Sequence, residues 1–264
     1  MLDPDYINRA APPGSMRYFA LQYAPPERRN TLAALFVVDS EIAHSAFAAH
    51  EVAHTRLQWW RHEIDRLTNR NAQHPATQAL QAALPNADFA PLHELLVAAD
   101  MDLAGMTYHT QTELNSYLER SGSTVSFYAQ DLSKEMQSLA LDLGAAIRRI
   151  ETIRDLAAHA KAGRIYWPLE DLDARHIGID ALRHATITDA AHELIKTESE
   201  LVAARLTQTL SQCTMVLRPI AVLGQLHLQL LKKIADAGYD VFMQRPELGG
   251  IEKVWTAWRA ARRS

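Results

Sequence analysis

Two sets of side chains have the types and spacing to do chemistry. His50-Glu51-Val52-Ala53-His54 spells H-E-x-x-H. On a helix His50 and His54 share a face and could hold Zn²⁺, with Glu51 as general base. The extended form of that signature fails, because Leu57 and Arg61 stand where a glycine and a third histidine would come. With 12 histidines in 264 residues, chance matches also come easily. The second set is Arg148, Glu151, Asp155 and His159, spaced so that one long helix would carry them as a polar stripe about 80° wide. From the residues alone the stripe reads as a solvated face laced with ion pairs. Arg164 and Tyr166 follow directly. A guanidinium suits a diphosphate and a phenol can close a pocket wall, or both can simply pin a loop to the body. Arg17, Arg28 and Arg29 read first as surface charge and second as anion contacts, and Trp59 and Trp60, beside Leu57 and Ile64, first as core packing and second as a ligand platform.

These residues sit on elements that read as helices throughout. Ala, Leu, Glu, Gln and Arg fill the periodic stretches and β-branched runs are scarce. Helices are expected at 31–49, 51–68, 91–105, 112–120, 134–162, 189–211, 213–237 and 251–263, with 163–186 irregular. No repeat or linker interrupts them, so residues 1–264 are expected to form a single all-α domain. Hydrophobic residues make up 48% and charged residues 22%, a globular balance rather than disorder. The net charge of −4 argues against a nucleic-acid partner, which would call for a basic face. Cys213 is the one cysteine, so neither an internal disulfide nor a cysteine zinc site can form. Residues 1–13 carry no signal-peptide pattern, and the most apolar stretch, Met215 to Leu231, is broken by Arg218, Pro219, Gln225, His227 and Gln229. The expected location is cytoplasmic or on the matrix side of an organelle, soluble or peripheral to an inner membrane. Val254-Trp255-Thr256-Ala257-Trp258-Arg259 with Arg262 and Arg263 reads first as a docked terminal helix with solvated arginines, and second as a segment resting on a membrane surface.

Three stretches in order resemble the squalene/phytoene synthase family. The first is Tyr18-Phe19-Ala20, Pro25-Pro26-Glu27-Arg28-Arg29 and Ala34-Leu35-Phe36, followed by Arg56-Leu57-Gln58-Trp59-Trp60-Arg61. The second runs from Asp100 through Gly105 and Tyr117 to Ser121-Gly122-Ser123-Thr124-Val125. The third and most specific is Ile153-Arg154-Asp155 with Gly163-Arg164-Ile165-Tyr166-Trp167-Pro168-Leu169. The resemblance spans residues 17 to 185. It implies a helical bundle around a central cavity in which two prenyl diphosphates are joined head to head, with the stripe of Arg148, Glu151, Asp155 and His159 facing that cavity. Two facing Asp-x-x-x-Asp motifs would hold Mg²⁺, since i and i+4 share a helix face and Mg²⁺ takes hard oxygen ligands. The ions would neutralise the diphosphate leaving group.

This chain departs from that pattern where the chemistry is done. Asp155 keeps the first position of the second motif, but His159 stands four residues on. Glu151 and Arg148 replace the usual Asn and Gln. The first motif should fall at Ala43 to Phe47, where no carboxylate exists. Asp39 and Glu41, two residues apart, point about 200° away from each other and are not expected to replace it. Imidazole is a poor ligand for an ion that prefers oxygen. The expectation is therefore a non-catalytic assembly or lipid-handling protein near a respiratory membrane, without a cofactor. In lacking the paired aspartates it is similar to the assembly factors of respiratory complex I in the same family. An isoprenoid or lipid-like ligand or a protein partner would fit it, and Arg148, paired with Glu151 or Asp155, would take the place of a cation. An active prenyltransferase using Mg²⁺ on Asp155, with Asp100 or Asp102 and a cavity wall including Tyr117, is the alternative. A zinc hydrolase on His50 and His54 is a third. Convergence of Asp100, Asp102 and Asp155 would favour the second reading, and a third zinc ligand the last.

Overall fold

The computed structural model describes residues 2–184 and 188–262, so Met1, Thr186 and Arg263 of the segments above lie outside the described residues. Helices begin where short polar side chains can accept from the first free N–H groups. Ser15, Thr110, Ser133 and Thr188 each do so for the helix that follows. In chain order the helices are α1 (Pro4–Ala10), α2 (Met16–Gln22), α3 (Pro26–Ala46), α4 (His50–Thr68), α5 (Pro75–Ala83), α6 (His93–Leu103), α7 (Gln111–Ser121) and α8 (Ser123–Tyr128). There follow α9 (Lys134–Arg154), α10 (Leu156–Lys161), α11 (Leu169–Ala174), α12 (Ile179–Arg183), α13 (Asp189–Leu210), α14 (Arg218–Asp236) and α15 (Gly250–Ala261). Among the described residues no strand forms; a single parallel bridge joins Tyr108 to Pro168. The fold class is all-α, as expected.

Several boundaries differ from the sequence reading. The helix expected from Thr31 begins at Pro26, because proline at the first helical position loses no bond it could have made. The helix expected over 134–162 is two, divided at Asp155 (φ −98°, ψ 14°). The segment expected to be irregular from 163 contains α11 and α12. A 3₁₀ turn, Met215–Leu217, precedes α14, so the helix starts later than Cys213.

The two 21-residue helices α3 and α9 organise the bundle. Helix α3 packs against α1, α4, α5, α6 and α8, and α9 against α7, α8, α13 and α14. One continuous apolar core runs from Leu2 to Ala260. A smaller cluster, Ala98, Tyr108, Leu114, Tyr117, Leu118 and Tyr166, fills the side between α6, α7 and the segment after α10. Gly122 and Gly144 bring the α7–α8 junction against α9 so closely that a Cβ on Gly144 would lie 2.4 Å from the Gly122 carbonyl oxygen. Trp60 is buried, but Trp59, expected in the core, is 42% exposed. It sits on the outer side of α4, under the Arg66 guanidinium. Among the described residues no helix is long and apolar enough to cross a membrane.

A cavity floored by ion pairs

Helix α3 presents Leu35, Val38 and Ile42 to the interior, and Asp39 lies among them, only 3% exposed. An ionised carboxylate there needs partners. Arg17 of α2 and Arg148 of α9 both bond to it, and Thr124 Oγ1 donates to its Oδ1 at 3.2 Å. Burial works against the charged form, but Arg148 and then Arg17 outweigh it and hold the carboxyl below its ordinary range.

Arg148 braces three elements. Its Nε donates to the Ser121 carbonyl oxygen at the end of α7 (2.8 Å), one terminal nitrogen to Glu151 Oε2 (2.8 Å) and the other to Asp39. Burial alone would lower the pKa of Arg148, yet Asp39 and Glu151 push it up. Glu151, one turn along α9, also lies 3.5 Å from Nε2 of buried His227 on α14. Desolvation is overcome by Arg148 and His227, and the Glu151 carboxyl titrates well below normal.

Asp155 occupies the break between α9 and α10. It accepts from Arg154 Nε at 3.0 Å and from Arg245 Nε, on the segment before α15, at 2.6 Å. Burial opposes its ionisation, but the two arginines keep its pKa low. His159 of α10 is held neutral, first by burial, against the pull of Asp155. Its Nδ1 is buried without a hydrogen-bond partner. The ring meets the edge of Tyr166 at 4.9 Å.

The opposite wall comes from α6 and α7. Tyr166 Oη donates to Asp102 Oδ1 at 2.6 Å, and the Tyr117 ring stacks on Tyr166 at 5.1 Å. Burial raises the pKa of Asp102, outweighing the hydroxyls of Tyr166 and Tyr117. Arg164 donates to the Asp102 carbonyl oxygen at 2.9 Å and lies 4.2 Å over the Phe47 ring.

These walls enclose a cavity of about 500 Å³. Arg148, Glu151, Asp155, His159, Asp102, Tyr117 and Tyr166 all line it, so the polar stripe is not a solvated outer face; Arg164 stands beside it behind Phe47. Asp100 does not join them. It lies two residues from Asp102 on α6, points away and pairs with Arg61 of α4. The expected partners of Arg148 are corrected in part: it takes Glu151 and Asp39, and leaves Asp155 to Arg154 and Arg245. Arg17 is not surface charge, since it reaches buried Asp39, and Arg28 is tied to Asp131 and the Tyr128 carbonyl. Sequence reasoning named Asp39, Arg17 and Arg154 without giving them a place in the site, and singled out neither His227 nor Arg245 for one. The available signal was Asp39 itself, one carboxylate inside the apolar face set by Leu35 and Ile42. His50 and His54 are exposed at the start of α4 with Nε2 atoms 3.2 Å apart. Among the described residues no third His, Cys, Asp or Glu completes a metal-binding group there or elsewhere.

The family profile described as squalene/phytoene synthase matches residues 11–252. That span covers most of the chain, including every helix that lines the cavity. This chain belongs to the squalene/phytoene synthase family. A phytoene synthase from Arthrospira platensis is 26% identical over 86% of this chain and 82% of its own length. A presqualene diphosphate synthase from Zymomonas mobilis is 30% identical, over 62% of this chain and 59% of that protein. A dehydrosqualene synthase crystallised with a ligand superposes with a TM-score of 0.84 at 15% identity, over 98% of this chain and 97% of the other. A squalene synthase from Alicyclobacillus acidocaldarius gives 0.71 at 21% identity, over 84% and 88%.

In this squalene/phytoene synthase family member, the positions of the first aspartate motif put Ala43, His44 and Phe47 on the cavity wall. The carboxylates that remain on the floor already carry guanidinium partners, and Asp102 accepts a phenol hydroxyl. Mg²⁺ needs several free hard oxygens in octahedral array. The donor set present does not fit that requirement.

Proposed function

We propose that this family member holds an isoprenoid or similar lipid-like molecule in its cavity without ionising it, in a non-catalytic assembly or lipid-handling role near a respiratory membrane. The observation that carries the reading is the state of the floor. Asp39, Glu151 and Asp155 each have a built-in guanidinium where catalysis would need carboxylates open to a metal. The cavity keeps an apolar side, with Ile42, Leu95, Ala98 and Ala99, for a hydrocarbon chain. Its floor carboxylates are already paired with guanidinium groups, so none is open to hold the ion that would draw off a diphosphate leaving group.

The test is calorimetric titration of a non-hydrolysable farnesyl diphosphate analogue, with and without Mg²⁺. The expected isotherms agree within about twofold in Kd. A tenfold tightening by Mg²⁺, about 1.4 kcal/mol, would overturn the proposal in favour of an active prenyltransferase. That second reading draws on the enzymes named among the relatives and on Asp102, which faces the same cavity as Asp155.

A further inference from the structure

Helix α15 has two unlike faces. At about 100° per residue, Ala257 and Ala260 fall on the side that packs against α14 and α2, and both are buried. Lys253, on the same side, donates to the Gly14 carbonyl oxygen at 3.1 Å. The opposite arc, about 140° wide, carries Ile251, Val254, Trp255, Trp258, Arg259 and Arg262, all exposed. Ile251 is 87% exposed and Trp255 56%. The two indoles stack on each other with centroids 5.0 Å apart, and the Arg262 guanidinium lies 4.8 Å from the Trp258 ring. Met243, on the segment leading into the helix, adds another exposed apolar side chain. The family match ends at residue 252, so the aromatic part of this helix lies outside it.

The geometry points to α15 as a docking surface for an anionic lipid bilayer. Exposed large apolar groups at helical spacing are costly in water unless something covers them. Indoles prefer the boundary between headgroups and acyl chains, and arginines on the same arc can reach lipid phosphates. The charges on the arc are all positive. The one acid of the helix, Glu252, is turned aside and held by Lys233 Nζ at 3.1 Å and the Gly249 N–H at 2.6 Å. A second copy of this chain fits less well, because in a two-fold contact the arc meets itself and carries no acid to pair with Arg259 and Arg262. The surface does not depend on whether the cavity is catalytic; vesicle binding and the farnesyl titration succeed or fail separately.

The experiment is flotation of the full chain with vesicles of phosphatidylcholine alone and with phosphatidylglycerol added. The chain is expected to float with the anionic vesicles, and at least tenfold less when Trp255→Ala and Trp258→Ala are combined. Arg259→Glu with Arg262→Glu is expected to abolish the preference for phosphatidylglycerol. Leu201→Ala, an exposed site on α13, serves as the control and should change nothing. Failure to float with anionic vesicles would overturn the proposal. So would flotation unaffected by the tryptophan pair, or a dimer in light scattering that the tryptophan pair dissolves while the wild-type chain stays off the vesicles.

Discussion

Arg148 concentrates the electrostatics of the site in one side chain. Its guanidinium is shared between Asp39 and Glu151, and its third nitrogen, Nε, donates to a helix-end carbonyl. Replacing it by Met leaves Asp39 buried with only Arg17 and Thr124 as partners. Removing one side of a buried ion pair typically costs 3 kcal/mol or more. Arg148→Met is therefore expected to lower unfolding free energy in urea by about 3 kcal/mol, and adding Asp39→Asn should recover part of that loss. An unchanged midpoint would mean that the brace contributes nothing. These partners were hard to read from the sequence. Glu151 lies within one turn and was named, whereas Asp39 is 109 residues away. Spacing on a helix reports neighbours along the chain; it carries no information about which carboxylate arrives from another helix.

At the scale of elements, the α7–α8 junction and α9 meet backbone to backbone through Gly122 and Gly144. Glycine inside a helix normally costs about 1 kcal/mol relative to alanine, so propensity alone predicts that Gly144→Ala stabilises α9. The structure predicts the reverse. The new methyl would meet a carbonyl that cannot rotate away, and the two elements would have to part. A loss of about 1–3 kcal/mol is expected, read as a lower urea midpoint. The longer helices were legible, because their apolar positions repeat every three or four residues and ends such as Ser133 and Gly163 mark them, whereas Pro26 was passed over as the start of α3. The break at Asp155 was not, since Ile153, Leu156 and Ala160 carry the apolar period straight across it. Asp100 was misplaced for a related reason: it shares α6 with Asp102 but not its face.

For the whole molecule, the ionisable groups of the cavity set the response to pH. Asp39, Glu151 and Asp155 have folded pKa values below their unfolded ones, so their stabilisation is present above the usual carboxylate range and is lost as pH falls through the folded values. His159 is also depressed from 6.5. The unfolded chain takes up that proton first, so stability starts to decline as pH drops through the unfolded value. Asp102 has the opposite sign: its pKa is raised, and its contribution is present in acid and lost as pH rises through the folded value. Urea midpoints are expected to be level from about pH 7 to about 8, to fall below about 6.5 and to steepen below about 4. His159→Gln should remove the first decline and leave the second. A midpoint that rose between pH 7 and pH 5 would contradict this assignment.

The Arg148 brace also has a place in time. Its partner Asp39 lies so far back along the chain that α3 and α9 must already be side by side, brought there by apolar packing, before the guanidinium can reach the carboxylate. A contact closed over such a distance is expected to form after the transition state, so Arg148→Met should speed unfolding and leave the folding rate nearly unchanged, a low φ-value. On that outcome the ion pairs that occupy the cavity floor act as the bundle's latch.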